Sequence, residues 1–262
     1  MVAAVHCSGA YGLGSFRKYI KAFWLPSLIM KTVILCGGRG TRLRELTEQI
    51  PKPLVEVGGR PILWHIMKLY SHYGFNDFVL ALGYKGELIR EYFGRDSNGW
   101  NIEFADTGLD TNTGGRIKKV QDLIGDEEFM ATYGDGVSNI PLDKLVSHHR
   151  STGALATITC IMPRSQFGVV EIDDKGLVCA FAEKPLLPFW VNGGFFVFNR
   201  AVFDFIGSND TLEREVFERL ASERRLAAFK FDGFWNCMDT FKDVQSLNDL
   251  WSSGKAEWRV WE

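Results

Sequence analysis

Residues 30–54 read MKTVILCGGRGTRLRELTEQIPKPL, and this stretch decides the fold. Within it, Thr32–Cys36 is a short apolar run rich in β-branched residues, which is typical of a buried strand. Residues 37–40 then read GGRG; glycines let the chain turn sharply, and their free N–H groups form a nest for an anion. Because Arg42 and Lys52 add two cations nearby, the stretch predicts a polyphosphate site at the end of a core strand.

The glycine turn differs from the two common nucleotide-binding motifs. It is not a Walker A loop, because no Gly-Lys-Ser/Thr follows, and from Gly38 it reads G-x-G-x-x-L rather than the dinucleotide fingerprint. Glu56 lies near the position of a ribose-binding acid, so a Rossmann-type reductase is one alternative. A tight turn without a ligand would explain the glycines, but it would not explain Arg42 or Lys52.

The composition describes an ordinary globular chain. It has 262 residues, of which 46% are hydrophobic and 24% charged, and its net charge is −2. This balance argues against a nucleic acid or a membrane surface as a partner. Five cysteines occur without a CxxC pair, which favours reduced thiols in the cytoplasm over disulfides or a zinc site.

The first 29 residues differ from the rest of the chain. They combine small, aromatic and basic residues with the apolar run FWLPSLIM, which Pro26 interrupts and which is too short to span a membrane. Met30 immediately precedes the first strand. We therefore expect residues 1–29 to be an N-terminal extension outside the core, and residues 30–262 to form the domain.

Strands alternate with helices over the first half of this domain. Predicted strands are Thr32–Cys36, Asp77–Leu82, 101–104 and Phe129–Tyr133, and predicted helices cover 42–48, 61–73, 86–93 and 113–123, the last capped by Thr113. Further strands are predicted at 154–161, 194–198 and 226–231, with a hairpin of 168–172 and 177–182. The pattern predicts an α/β fold with a Rossmann-like, doubly wound, mixed but mainly parallel sheet, whose ligands bind at the carboxyl ends of the strands.

Two distant carboxylates are candidates for a metal site. Asp135 follows a predicted strand in YGDG, and Asp239 precedes the last predicted helix in NCMDT. Mg²⁺ prefers one or two carboxylates together with phosphate oxygens, so the pair predicts a Mg²⁺ site. Taken singly, Asp135 also suits a turn and Asp239 a helix N-cap.

A second candidate binding site lies in the other half of the chain. Glu183 and Lys184 follow an apolar strand, and Asn192 and Gly193 come soon afterwards. A lysine suits a phosphate, while a carboxylate and an amide suit hydroxyl groups, so the four residues predict a polyol-phosphate site. A solvated loop explains them equally well.

With these motifs assembled, the chain resembles the sugar nucleotidyltransferases, and within them the glucose-1-phosphate cytidylyltransferase branch, from residue 30 to about 261. GGRGTRL followed by PKPL is specific for the superfamily, while TGGR, YGDGV and NGGFFV indicate the branch. The resemblance implies the nucleotide-diphospho-sugar transferase fold. It also implies transfer of a cytidylyl group from CTP to α-D-glucose 1-phosphate, in a homo-oligomer that serves O antigen and related surface polysaccharides.

The resemblance also implies a role for each residue at a matching position. The nucleotide would contact Leu35, Cys36, Gly37, Gly38, Arg39, Gly40, Thr41, Arg42, Lys52, Thr111, Arg116 and Gly134, with Arg42 and Lys52 as the catalytic residues. Asp135 and Asp239 would hold Mg²⁺. The sugar phosphate would contact Glu183, Lys184, Asn192 and Gly193.

Three features depart from the pattern of that branch. Arg39 stands where the family often has a smaller or apolar residue, and Asn236-Cys237 stand where relatives have Gln-Pro. Segment 94–105 is shorter than in enteric relatives, which puts inherited oligomer contacts in doubt.

Two other functions stay open. One is a sister nucleotidyltransferase that uses dTTP or UTP, which Thr111 and Arg116 argue against. The other is a non-catalytic regulator that binds sugar nucleotides, which would not need Arg42, Lys52 and both carboxylates.

Overall fold

The computed structural model describes residues 30–126 and 128–261, so the predicted extension, residues 1–29, lies outside the described residues. In chain order the strands are β1 (Thr32–Cys36), β2 (Glu56–Val57), β3 (Arg60–Pro61), β4 (Asp77–Leu82), β5 (Asn101–Asp106), β6 (Phe129–Tyr133), β7 (Gly136–Ser138), β8 (Ala156–Ile161), β9 (Val169–Ile172), β10 (Val178–Ala182), β11 (Val191–Phe198), β12 (Leu226–Lys230) and β13 (Trp235–Cys237). The helices are α1 (Arg44–Thr47), α2 (Ile62–His72), α3 (Gly86–Arg95), α4 (Thr113–Lys119), α5 (Leu142–Thr152), α6 (Phe217–Ser222) and α7 (Phe241–Ser252). Searched over the described residues, no helix is long and apolar enough to cross a bilayer.

A seven-stranded sheet forms the centre of the molecule, in the order β12-β8-β11-β6-β1-β4-β5. The pairs β1–β4, β1–β6, β4–β5 and β8–β12 are parallel, whereas β11 runs antiparallel to both of its neighbours. The predicted mixed, mainly parallel sheet is therefore confirmed. Because β1 lies between β4 and β6, the turns that follow these three strands share one edge of the sheet.

Helices cover both faces of this sheet, as a doubly wound fold requires. Successive residues of a strand point to opposite faces, and β1 divides its side chains accordingly. Ile34 packs with residues of α2, α3, α5 and α7 in one apolar cluster. Val33 packs with residues of α4 and α6 in a second cluster. Both faces of β1 are thus buried, which explains its unbroken apolar sequence.

The structure differs from the predicted elements in several details. The antiparallel pair β7–β13 was not predicted. Thr113 begins α4 but does not cap it, because its hydroxyl donates to Glu213 and accepts from the backbone N–H of Leu212. Residues Leu212–Val216 form a π-helical turn that leads into α6.

The predicted hairpin, β9 paired with β10, stands apart from the central sheet. All of its strand residues are exposed, including Phe181 at 65% of its full accessible area. Glu183 and Lys184 follow β10 and are exposed as well, and Lys184 adopts a left-handed backbone with φ 46°.

A buried histidine holds the C-terminal segment against α2. His65 is fully buried; its Nε2–H donates to the carbonyl of Val57 at 2.8 Å, and its Nδ1 accepts from Trp258 Nε1–H at 3.3 Å. Trp251 packs edge-on against the imidazole ring, with ring centroids 4.8 Å apart. Burial lowers the pKa of His65 from 6.5 to about 4, although backbone carbonyls oppose the shift. The imidazole is therefore neutral in the folded protein at pH 7.

Acidification between pH 6.5 and 4 should destabilise the protein through His65. In that range the unfolded chain binds a proton that the folded chain does not, so stability is complete above about pH 6.5 and falls toward pH 4. At about 1.4 kcal/mol per pKa unit, the loss reaches about 3 kcal/mol. Urea unfolding at several pH values measures it.

The variant His65→Gln keeps a donor and an acceptor but does not titrate, so its free energy of unfolding should fall less steeply over that pH range. His72→Gln, at an exposed position on the same helix, is the matched control and should keep the wild-type slope. If the free energy of unfolding of His65→Gln fell with pH as steeply as that of the wild type, His65 would not be the source of the pH dependence.

Candidate active site

Two clefts meet at the carboxyl edge of the central sheet. The larger, of about 580 Å³, is lined by Leu35, Cys36, Gly37, Gly38, Arg39, Gly40, Thr41, Arg42, Lys52, Pro53, Leu109, Asp110, Thr111, Asn112, Thr113, Arg116, Tyr133, Gly134, Asp135 and Thr211. The smaller, of about 260 Å³, is lined by Arg42, Thr132, Tyr133, Asp135, Gly136, Asn192, Gly193, Gly194, Phe195, Trp235, Cys237 and Asp239. Arg42, Tyr133 and Asp135 belong to both. All residues predicted to bind the nucleotide line the larger cleft.

The glycine turn forms the floor of the larger cleft. Gly40 has φ 62°, a left-handed conformation that favours glycine, and a Cβ there would lie 2.9 Å from Thr47 Cγ2. At Gly38 a Cβ would meet nothing within 4 Å, so this backbone faces open space. The turn therefore presents bare backbone to the cleft, as the predicted anion nest requires.

An ammonium group lies between the two predicted metal ligands. Lys52 Nζ donates to Asp135 Oδ2 at 2.6 Å and to Asp239 Oδ1 at 2.7 Å. Arg42 Nη1 donates to the other oxygen of Asp239, also at 2.7 Å. Two cations and two carboxylates from three distant parts of the chain thus form one cluster where the clefts meet.

The titration of this cluster follows from its geometry. Burial alone would lower the pKa of Lys52, but the charge and hydrogen bond of Asp135, with those of Asp239, raise it. Burial would likewise raise the pKa of Asp239, but Lys52 and then Arg42 lower it. Lys52 and Asp239 are therefore both charged near neutral pH.

The carboxylate pair fits a magnesium ion in its donor chemistry. Asp135 and Asp239 already converge on one cation, and Mg²⁺ uses one or two carboxylates while keeping oxygen ligands from phosphate and water. Within residues 30–126 and 128–261, no group of three His, Cys, Asp or Glu side chains gathers as a candidate metal site. A metal here would therefore depend on the substrate for its remaining ligands.

The guanidinium of Arg116 is enclosed by backbone rather than open to a ligand. Arg116 is only 5% exposed, and its Nη1 and Nη2 groups donate to the carbonyls of Gly37, Leu82, Gly108 and Leu109 and to the Thr107 hydroxyl, at 2.6–3.2 Å. Its four terminal N–H groups are thus shared among five protein acceptors. Arg116 joins the loops after β1, β4 and β5, while its predicted contact with a nucleotide stays a prediction.

Two other predicted nucleotide contacts lie at the mouth of the larger cleft. Thr111 Oγ1 donates to the carbonyl of Thr107 at 2.5 Å and accepts from Lys119 Nζ at 2.9 Å. Arg39, a departure from the family pattern, forms an exposed ion pair with Asp110 at 3.2 Å. Exposed pairs of this kind are weak, at about 0–1 kcal/mol, so this contact leaves Arg39 available to a ligand.

Only part of the predicted sugar-phosphate site lines a cleft. Asn192 and Gly193 line the smaller cleft, and Gly193 accepts a hydrogen bond from Trp235 Nε1 at 2.6 Å. Glu183 and Lys184 line neither cleft, because they lie at the base of the exposed hairpin and pair with each other at 3.5 Å. Their contact with a sugar phosphate therefore stays a prediction.

Several residues in or beside the clefts were not predicted as site residues from the sequence, among them Tyr133, Cys237 and Glu213. Tyr133 lines both clefts and hydrogen-bonds to Glu213 and Asn192. Cys237, noted only as a departure, donates to Asp239 at 3.5 Å and lines the smaller cleft. No motif marks Glu213. Tyr133 could have been found, because it directly precedes Gly134 and Asp135 at the end of a predicted strand.

Comparison with known proteins agrees with this geometry. The family model described as "Nucleotidyl transferase" matches residues 31–256. The chain is 46% identical over 256 residues to the "Probable glucose-1-phosphate cytidylyltransferase" of Bacillus subtilis (strain 168), covering 88% of this chain and 100% of that protein. It is 43% identical over 258 residues to the glucose-1-phosphate cytidylyltransferase of Salmonella typhi, covering 89% and 100%. The crystal structure of HddC from Yersinia pseudotuberculosis complexed with GMP-PN has a TM-score of 0.69 at 21% identity, covering 85% and 99%, which shows a shared fold.

The enclosure of Arg116 predicts that Gly83 does not tolerate a side chain. A Cβ at Gly83 would lie 2.6 Å from Arg116 Nη1 and 2.8 Å from the carbonyl oxygen of Gly37. We expect Gly83→Ala to lower the free energy of unfolding by about 1–3 kcal/mol, the usual cost of overpacking. Gly94→Ala, in α3 where an added Cβ would meet nothing within 4 Å, is the control and should be neutral or stabilising. Equal melting temperatures for both variants would contradict the proposed enclosure.

Proposed function

The chain belongs to the nucleotidyl transferase family, and from this premise we propose that it is a glucose-1-phosphate cytidylyltransferase. It transfers the cytidylyl group of CTP to α-D-glucose 1-phosphate and releases CDP-glucose and pyrophosphate. The relatives named for this activity match over their whole length at 43–46% identity, so the similarity extends over every part of those proteins.

One observation carries the proposal: the two clefts share Arg42, Tyr133 and Asp135. The larger cleft, with its glycine floor, suits a nucleoside triphosphate. The smaller cleft, which has the amide of Asn192, suits a sugar phosphate. Because the clefts join beside Lys52, the reacting atoms of the two substrates would both lie next to the Lys52 ammonium group.

The reaction needs no general base. An anionic phosphate oxygen of glucose 1-phosphate attacks the α-phosphorus of CTP; that P–O bond forms while the bond from the α-phosphorus to the pyrophosphate oxygen breaks. Catalysis then consists of positioning and charge neutralisation. In this scheme the ammonium group of Lys52 leaves one of its carboxylate partners and binds the α-phosphate instead. Arg42, whose side chain is more exposed, binds the pyrophosphate as it leaves.

Charge balance supports a divalent metal. Lys52 and Arg42 contribute two positive charges and Asp135 and Asp239 two negative charges, so this cluster has no net charge to offset a triphosphate. We propose that the two carboxylates hold Mg²⁺ as the cofactor. When bound, the ion would neutralise phosphate oxygens.

The choice of CTP rests on the relatives rather than on a visible base contact. Arg116, which the resemblance assigns to the cytidine nucleotide, is occupied by backbone acceptors. A sister enzyme that uses dTTP or UTP is therefore the second candidate, because Arg116 in this arrangement does not discriminate among pyrimidine bases.

The cellular setting is a further part of the proposal. We propose a cytoplasmic homo-oligomer whose CDP-glucose supplies the sugars of bacterial surface polysaccharides such as lipopolysaccharide. Its substrates are CTP and glucose 1-phosphate, and the proposal includes neither a nucleic acid nor a membrane partner.

Pyrophosphate release with glucose 1-phosphate, tested against each of CTP, UTP, dTTP, ATP and GTP, decides the function. CTP should give a kcat/KM at least tenfold above that of each other nucleotide. Highest activity with UTP or dTTP would establish the sister enzyme instead. Binding without pyrophosphate release from any nucleotide would favour the non-catalytic regulator.

Asp135→Asn should lower kcat/KM by about 10²–10³-fold, because it removes one carboxylate from the proposed metal pair. Asp174→Asn, in the exposed turn between β9 and β10, is the control and should keep full activity. EDTA should abolish wild-type turnover, and added Mg²⁺ should restore it. Near wild-type activity of Asp135→Asn with Mg²⁺, in a variant that melts normally, would refute the metal assignment.

A further inference from the structure

A hydrogen-bonded chain of side chains connects the two clefts through Glu213, which has no role in the scheme above. Glu213 accepts a hydrogen bond at one carboxylate oxygen from the hydroxyl of Thr113, at 2.8 Å, and at the other from the phenol of Tyr133. The Tyr133 oxygen in turn is 3.3 Å from Asn192 Nδ2. Thr113 lines the larger cleft, Asn192 lines the smaller, and Tyr133 lines both.

The directions of these hydrogen bonds are fixed. An ionised carboxylate only accepts, so both hydroxyl protons point toward Glu213. The Tyr133 oxygen must then accept from the amide N–H of Asn192. The amide oxygen of Asn192 accepts from the backbone N–H of Gly194 at 2.9 Å, so the orientation of this amide is set at both ends.

Glu213 is itself fixed to the wall of the larger cleft. Asn112 donates two hydrogen bonds to Asn209, and the backbone N–H of Gly115 donates to the carbonyl of Asp210 at 3.0 Å. A Cβ at Gly114 would lie 2.7 Å from that same carbonyl oxygen, so glycine permits the close contact. The segment that carries Glu213 therefore moves with the start of α4, which borders the nucleotide side.

Tyr133 is suited to a fixed position. A Cβ at Gly194 would lie 2.5 Å from its ring, so the ring packs directly on that backbone. Burial, and then the charge of Glu213, raise the pKa of Tyr133, which keeps the phenol protonated as a donor. The π-helical turn at Leu212–Val216 brings Glu213 to it, and such turns are frequent at functional sites.

We propose that Glu213 is a positioning residue that aligns Tyr133 and Asn192 for the sugar phosphate and thereby couples the two clefts. Occupation of the nucleotide cleft shifts the start of α4 together with Glu213, and this shift is passed through Tyr133 to the amide that receives the second substrate. The inference rests on the proposed function for the identity of the two ligands.

The variants Glu213→Gln and Tyr133→Phe test the coupling. The two hydroxyls donate to different oxygens of Glu213, and glutamine replaces one of these with an NH2 group that cannot accept, while phenylalanine keeps the ring and loses the link. Each should raise the KM for glucose 1-phosphate about tenfold or more, which corresponds to a lost hydrogen bond to a charged group. The Kd for CTP measured without glucose 1-phosphate should change less than about threefold, because coupling affects CTP binding only when the second ligand is present. Their combination should cost no more than the larger single effect, because both break one chain.

Calorimetry measures the coupling directly. The CTP analogue with a methylene group between the α- and β-phosphates is not cleaved at the reacting bond, so it can occupy the larger cleft while glucose 1-phosphate is titrated. The analogue should tighten glucose 1-phosphate binding in the wild type, and either substitution should remove that tightening. Glu218→Gln, exposed on α6, is the control and should retain it.

Several results would overturn the proposal: an unchanged KM for glucose 1-phosphate, an equal weakening of CTP binding measured without glucose 1-phosphate, additive effects in the double variant, or tightening that persists without Glu213. Melting temperatures separate these outcomes from unfolding, and Tyr133→Phe carries the test alone where Glu213→Gln does not fold. Absence of pyrophosphate release by the wild type would refute the proposed function, while calorimetry would still decide the coupling.

Discussion

The site depends on the contact of the Lys52 ammonium with two carboxylates. A lysine that is nearly buried needs partners, because an unpaired charge out of water costs several kcal/mol. Asp135 and Asp239 lie 83 and 187 positions further along the chain. Their convergence fixes the end of β6 and the segment before α7 against the start of the chain, and the two clefts open on either side of that point.

A second cation, Arg116, has a structural role that differs from the position of Lys52 at the ionic cluster. Its partners are backbone carbonyls and one hydroxyl, which cannot be exchanged without opening three loops. Lys52 instead pairs with carboxylates at a cleft wall. A phosphate can take the place of those carboxylates, and a metal ion can take the place of the ammonium group. The two cations lie in the same cleft, but only Lys52 is held in a way that substrate binding can change.

The sequence predicted those parts of the site that local patterns determine. The bounds of β1, β4 and β6 were confirmed, because continuous apolar runs ended by turns define buried strands. The parallel-sheet rule then correctly placed the glycine turn and Asp135 at one edge. The hydrogen bonds that the Arg116 guanidinium donates to backbone carbonyls were not predicted, and neither was the contact between Tyr133 and Glu213. Both depend on close packing between segments that no local pattern relates. The position of Glu183 and Lys184 outside both clefts was missed for the same reason.

The end of β6 links the two clefts to the ionic cluster. Tyr133 lies on both clefts, Gly134 packs where a Cβ would come within 3.0 Å of the Leu35 carbonyl oxygen, and Asp135 holds Lys52. Three consecutive residues thus join the smaller cleft, the glycine turn and the ionic cluster. Because β6 pairs with β1 and β11 in the middle of the close-packed sheet, a displacement of any one of these residues disturbs the other two.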